Sequence, residues 1–338
     1  VPQTETPDPP EIAIISIAST MVDAEFDRTL EEMIFDTSTE ALSAVGLSAK
    51  DIDSFVVSGN DEVDGRVISI MPSAGPVGGV DKDTTMIASS ADHALVYGWL
   101  RIKAGQGRKV LVAGWAKPSE SVDPDRAELA GAEPLLLRRI GMNDTIAAAL
   151  QASVWAHRDR ESPIVPDAVA WPLTRDDLPK RGDSVFAMIL AAEGEFEPGS
   201  EIAWIVDAGW ATDSYELGAR DLGELRAFNL AVGQITKRTP NAGPDSWDAI
   251  EVGAASEYVV REVTRLLALE TSAVNASGAL KDRPTWGYVN GLSRMVEAAK
   301  AVHGKGPDTV TSAGIGFNGF AGQGATVVVF SNVKGGPA

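Results

Sequence analysis

The first periodic segment of the chain is Glu11–Ser19, EIAIISIAS, an apolar run rich in β-branched residues that reads as a buried strand. Phe26–Val45 follows, with Phe26, Leu30, Met33, Ile34 and Leu42 at helical spacing and Gly46 behind it as a stop. Leu47–Asp53 holds Ser48 as the N-cap of a short turn, and Ser54–Ser58 is a further strand. Asp83–Ala88 leads into a helix at Asp92–Lys103 that Gly105 ends. Arg108–Trp115 and Ser184–Ala192 are apolar runs of strand length.

The second half repeats this order. Glu201–Ala211 starts like Glu11–Thr20, and Leu222–Lys237 is helical as Phe26–Val45 is. Asp245–Val252 mirrors Asp51–Val57. Val289–His303, ended by Gly304, mirrors Asp92–Lys103 ended by Gly105, and Asp308–Gly314 mirrors Arg108–Gly114. These pairs keep a nearly constant separation, whereas the last pair, Asp183–Leu190 and Gly324–Ser331, stands closer. A duplicated β-α-β-α-β unit explains the constancy, and an insert at Ala116–Gly182 in the first half explains the exception. That insert has its own helix, Asp144–His157, and loops around Pro163, Pro166, Pro172 and Pro179. Two α/β halves with mixed sheets, each burying a face, predict a five-layered α-β-α-β-α core. The other architecture open to this pattern is an ordinary doubly wound α/β enzyme whose halves are alike by chance.

Composition narrows the chemistry. Among 338 residues there is no cysteine, which removes disulfides, Cys-ligated metals and thiolate nucleophiles. The three histidines, His93, His157 and His303, share no metal-ligand spacing, so no metal site is expected. The net charge of −19 repels phosphate backbones and anionic membrane surfaces, so nucleic acid is not an expected partner. The longest apolar runs, such as Ala325–Phe330, fall far short of the ~20 residues that span a bilayer. Val1–Pro10 lacks the basic and apolar regions of a signal peptide and reads as a disordered lead, which makes the cytoplasm the expected location.

Several stretches, in order, resemble the thiolase superfamily, and most closely its sterol-carrier or lipid-transfer branch. They are ALSAVGLSAKDIDSFVV (Ala41–Val57), ASSADHALVYGWLRIKAGQGRKVLVAGWAKPS (Ala88–Ser119) and MNDTIAAALQASVWAHRDRESP (Met142–Pro163). ATDSYELGARDL (Ala211–Leu222), VNASGAL (Val274–Leu280) and GFAGQGATVVVFS (Gly319–Ser331) complete the series. The resemblance implies a duplicated thiolase-like fold, with an N-terminal half at 11–115 plus 183–200, a loop-domain insert at 116–182 and a C-terminal half at 201–338. It also implies acyl-CoA as ligand, with coenzyme A entering as part of the substrate and no separately bound cofactor.

The sequence departs from that family at its four catalytic signatures. The acyl-accepting Cys at the central helix start falls on Ala88, or one residue along on Ser89. The Asn-Glu-Ala-Phe or His-Asp-Cys-Phe motif falls on GAAS (Gly253–Ser256). Gly-His-Pro falls within RPTWGYVNG (Arg283–Gly291), which has no His. The final Cys-x-Gly motif falls in SAGIGFNG (Ser312–Gly319) without Cys. An acyl-cysteine route is therefore closed.

The residues that replace them carry alternatives. Ser89 and Ser90 at the helix start read either as N-caps, a role open to Asp92 as well, or as a nucleophile or donor to a thioester carbonyl. His93 is the nearby base for such a nucleophile, or a structural histidine. Tyr288 and Asn290, in the loop that replaces Gly-His-Pro, read as an acid or base and as an enolate donor, or Tyr288 packs with Trp286. Asp282 and Arg283 read as a solvated pair. Asn318 reads as a turn residue or a substrate contact, within a Gly-rich loop of Gly314, Gly316, Gly319, Gly322 and Gly324 that by resemblance lines the acyl-CoA pocket.

Two functions follow. One is retro-aldol cleavage of a β-hydroxyacyl-CoA of steroid side-chain type, as the resemblance implies, beside a small OB-fold, zinc-ribbon partner. Tyr288 would then be the base or acid, and Ser89 or helix-start N–H groups the oxyanion donors. The other is a non-catalytic thiolase-like subunit that binds acyl-CoA or a partner protein. By resemblance both dimerise or form heteromers through Asp83–Ile87. In the first case Tyr288 and Ser89 face one open cavity; in the second Trp286, Phe317 or Phe320 fills it.

Overall fold

The computed structural model describes residues 9–61, 63–64, 68–159, 165–306 and 308–337. Of the expected disordered lead, residues 1–8 lie outside this set, as does the loop at Pro163. The strands are β1 (Ile12–Val22), β2 (Ser54–Ser58), β3 (Asp83–Met86), β4 (Lys109–Ala116), β5 (Asp183–Ala192), β6 (Ala203–Thr212), β7 (Ala249–Gly253), β8 (Thr311–Asn318) and β9 (Gly324–Ser331). The helices are α1 (Leu30–Ala44), α2 (Ile70–Ser73), α3 (Ala91–Lys103), α4 (Pro124–Ala130), α5 (Asp144–Arg158), α6 (Arg226–Arg238), α7 (Glu257–Leu267) and α8 (Gly287–Val302).

The strands form one sheet in the order β3-β2-β4-β5-β1-β6-β9-β8-β7. In the first half β2 runs parallel to β4, while β4–β5 and β5–β1 are antiparallel. In the second half β7 runs parallel to β8, while β8–β9 and β9–β6 are antiparallel. The same four-strand pattern therefore occurs twice. The two copies join where Ile12–Ile14 of β1 pairs with Ala203–Ile205 of β6. The sequence periodicity does not reveal this seam, because pairing between halves leaves the apolar pattern of each strand unchanged.

Three apolar clusters account for the layers. Phe186 and Met188 of β5 and Val328 and Phe330 of β9 pack with Leu95 and Trp99 of α3 and Leu292 and Met295 of α8, so α3 and α8 lie between the two copies. Met33 and Ile34 of α1 cover the other face of the first copy. Phe228 of α6 and Val259 and Val263 of α7 cover that of the second. The result is an α/β fold of five layers, α-β-α-β-α. β5 is buried at all ten positions, which is why it reads as a continuous apolar run without alternation.

Element ends shift in ways that sequence signals explain. The helix expected from Phe26 begins at Leu30, because Thr29 and Glu32 form a capping box, with Thr29 Oγ1 accepting from Glu32 N at 3.2 Å. Phe26 itself is 83% exposed. The helix expected from Leu222 begins at Arg226. Arg283 is not half of a solvated pair with Asp282. It is buried and donates to Ser293 Oγ at 3.0 Å and Glu297 Oε1 at 3.3 Å, both on α8.

Candidate functional site

The starts of four helices converge on one cavity of about 1330 Å³. Ser89 precedes α3, Asn143 and Asp144 open α5, Ala254 and Ala255 precede α7, and Gly287 and Tyr288 open α8. Each start carries partial positive charge and N–H groups without intrahelical partners, so the space favours an oxyanion or other anionic group. The end of β8 supplies Phe317 and Asn318, and Gly319 and Phe320 follow. The segments around Ser89, Ala254, Thr285–Asn290 and Phe317–Gly319 thus all line this space.

The cavity is open. Trp286, Phe317 and Phe320 are buried in its wall and do not fill it. Trp286 is held there by its indole N–H, which donates to Glu128 Oε1 at 3.0 Å. The Arg181 guanidinium lies 5.0 Å from the Trp286 ring centroid and donates to the same Glu128 oxygen at 2.8 Å.

Tyr288 and Asn290 are not in a loop but in the first turn of α8, whose N-cap position is Trp286 without a side-chain cap bond. Both line the cavity. Asn290 Nδ2 donates to Ala254 O at 3.0 Å, so one of its two protons is committed to the wall. Asn318 Nδ2 is buried with no hydrogen-bond partner, while its Oδ1 side lies over Gly324. An unpartnered buried donor costs ~1–3 kcal/mol.

Ser89 lines the cavity and its Oγ lies 2.7 Å from His93 Nδ1. His93 reaches the cavity through this contact and is not among its lining residues. Ser90 stands at the N-cap position of α3 but makes no cap bond. Its hydroxyl donates to Asp92 Oδ1 and lies 3.3 Å from Tyr288 O, its alternative acceptor, on α8 behind the wall. Asp92 is not a cap; it is fully buried in the first turn.

Gly316 and Gly322 do not line the cavity. A Cβ at Gly316 would meet Asp92 Oδ2 at 2.4 Å, so this glycine permits close approach of β8 to α3 rather than contact with a ligand. Gly322, at φ +64°, makes a turn against Phe317. Gly319, at φ +67°, is the member of the Gly-rich loop that both turns the chain and lines the cavity.

Asp144 carries no sequence signal of a site, since an acid in a first helical turn reads as a dipole partner. Here its carboxyl is pushed up to about 6, first because the surrounding protein disfavours its charge and second because Glu128 repels it. The residue keeps open surface toward the cavity it lines, yet protein packs densely around its carboxyl. The folded chain thus holds this proton at a pH where the unfolded chain, near 3.9, has lost it. Stability falls as pH rises from about 4 through the folded value, and the penalty is complete above it. Asp144→Asn is expected to gain Tm relative to the parent as pH rises from 4 to 8. A thermal-melt gap that does not change over that range contradicts the assignment.

Among the described residues, no group of three His, Asp or Glu side chains is placed to hold a metal ion, and no helix is long and apolar enough to cross a membrane. No protein-family model matches the sequence, and no curated protein matches it either. Solved structures do match. Human mitochondrial 3-ketoacyl-CoA thiolase aligns over 96% of this chain and 100% of its own, with 14% identity and a TM-score of 0.67. The same enzyme in complex with CoA aligns over 96% and 99%, with 16% identity and a TM-score of 0.70. With its five layers and repeated strand order, the chain has the fold of the thiolases.

Proposed function

We propose that the cavity takes an acyl-CoA thioester and cleaves the carbon–carbon bond of a β-hydroxyacyl group without an acyl-enzyme. The observation that carries this reading is that Ser89, Tyr288, Asn290 and Asn318 line one open cavity, with Trp286, Phe317 and Phe320 in the walls. The volume exceeds the ~300–1,000 Å³ usual for small-molecule sites, which suits a long acyl group with its pantetheine arm. The CoA-bound thiolase of the same fold supports the ligand class. Arg175, Lys180 and Lys281 are exposed lining residues suited to CoA phosphates. The two lysines pair with exposed Asp23 and Asp176, and such surface pairs are worth only ~0–1 kcal/mol, so a phosphate can displace them.

In this proposal Tyr288, as its phenolate, takes the proton of the β-hydroxyl. The Cα–Cβ bond then breaks, leaving a ketone or aldehyde and the enolate of a shortened thioester. Asn290, the Ser89 hydroxyl and the α3 N–H groups stabilise the enolate oxygen until Tyr288 returns its proton to Cα.

The same proposal divides the chain at 11–115 with 183–200, 116–182 and 201–338. It places a second copy, or a small OB-fold, zinc-ribbon protein, as partner, with β3 at the sheet edge as the contact between thiolase-like chains. The second reading, a non-catalytic acyl-CoA-binding subunit, is favoured by Ala88 and Ser89 standing where a thiolase nucleophile would.

One experiment separates the two. The chain, alone and with a co-encoded OB-fold protein, is incubated with short-chain and steroid β-hydroxyacyl-CoA esters. Sedimentation is measured in the same buffer. A carbonyl product and a shortened acyl-CoA are expected, reduced roughly 10²–10⁴-fold in Tyr288→Phe. Saturable binding with no product under any condition overturns the catalytic reading, and a lone monomer overturns the assembly.

A further inference from the structure

We propose that Ser89 and His93 form a nucleophile–base pair that hydrolyses simple acyl thioesters through an acyl-serine. This activity shares the cavity of the preceding proposal but acts on the C–S bond, so it needs no β-hydroxyl. Ser89 Oγ and His93 Nδ1 are 2.7 Å apart, within the range expected of an activated serine. The spacing explains the contact. Ser89 lies just ahead of α3 and His93 sits in its first turn; helical side chains lean toward the N-terminus, which carries the imidazole back onto the hydroxyl.

Two further features fit the chemistry. Ser89 is exposed and lines the cavity, so its oxygen is reachable, whereas Ser90 is buried and committed to Asp92. In addition, α3 is a helix of 13 residues with no side-chain cap bond; the His93 N–H donates to Ser90 O, and the N–H groups ahead of it in the first turn are positioned for an oxyanion.

The steps balance with water as the only co-reactant. With the imidazole proton on Nε2, Nδ1 accepts the Ser89 proton as Oγ bonds to the thioester carbonyl carbon. The tetrahedral adduct collapses, the C–S bond breaks, and the thiolate leaves with the proton from Nδ1, giving a Ser89 ester and free thiol. Water then adds to the ester carbonyl and gives a proton to Nδ1. The C–Oγ bond breaks, Ser89 regains its proton, and a carboxylic acid departs.

The test uses the full chain with p-nitrophenyl butyrate and, separately, butyryl-CoA, neither of which can undergo retro-aldol cleavage. The expected result with the ester is release of p-nitrophenol, with a butyryl group on the Ser89 peptide by mass spectrometry. Ser89→Ala is expected to lose both, and His93→Gln to slow acylation roughly 10²–10⁴-fold while melting at the parent temperature. Release of free CoA from butyryl-CoA is expected as well, and turnover of the ester but not of butyryl-CoA overturns thioester hydrolysis. Ester turnover no faster than in Ser89→Ala, or a butyryl group on another residue, overturns the proposal.

Discussion

Replacing Arg294 by Met is expected to destabilise the chain by about 3–5 kcal/mol, because it strands a buried carboxylate. Arg294 is fully buried in α8 and donates through Nη1 to Glu251 Oε2 at 2.9 Å, Gly278 O at 2.8 Å and Ser277 Oγ at 3.1 Å. Glu251 is itself 4% exposed on β7 and also accepts from Ser277 N and Oγ. Burial pulls the guanidinium below the usual arginine range, and the Glu251 charge opposes that pull. The pair therefore costs desolvation on both sides, and removing one partner leaves the cost without the attraction. The double variant Arg294→Met with Glu251→Gln is expected to recover most of the loss in urea melts. The effect reaches the cavity as well. Ser277 and Gly278 belong to the segment that leads to Thr285 and Trp286, so the single variant is also expected to loosen that wall. Equal stability of single and double variants contradicts this account.

The second large effect is expected from Gly287→Leu. Gly287 is the first residue of α8 and lines the cavity, and a Cβ there would meet nothing closer than Asp144 Oδ2 at 3.9 Å. Its backbone is outside the left-handed region, so a side chain is tolerated, and helix propensity improves by up to about 1 kcal/mol. The leucine projects into the space that Tyr288 and Asp144 share. The variant is therefore expected to melt no lower than the parent and yet lose acyl-CoA binding and turnover. This opposite movement of stability and activity is what separates a plugged cavity from a damaged fold.

How much of this was legible in the sequence depends on which force sets each feature. β5 and β9 are apolar because both faces are covered, so their runs read directly as strands. The repeat is visible because both halves solve the same packing problem. The start of α1 is carried in plain residue types by Thr29 and Glu32, whereas Phe26 fits the helical spacing four residues earlier yet is exposed outside the helix. The start of α8 carried no such signal, since Trp286 offers no cap, and Tyr288 and Asn290 were therefore placed in a loop. Ser89, Tyr288, Asn290, Asn318 and Gly319, singled out in the sequence, line one cavity. Gly316 and Gly322 were included because a Gly-rich run looks uniform, although the space around each glycine differs. Asp144, Arg283 and Arg294 were missed or misread for one reason. Charged residues read as solvated until tertiary packing removes their water, and that packing comes from segments far away in the chain.

The central claim is that the cavity where α3, α5, α7 and α8 begin binds the thioester end of an acyl-CoA. Calorimetric titration of the full chain with a β-hydroxyacyl-CoA tests it most directly, with Gly287→Leu in parallel. The account predicts saturable binding at one site per chain that Gly287→Leu abolishes while its melting temperature holds. No saturable heat with the parent chain, or equal affinity in the two proteins, would contradict it.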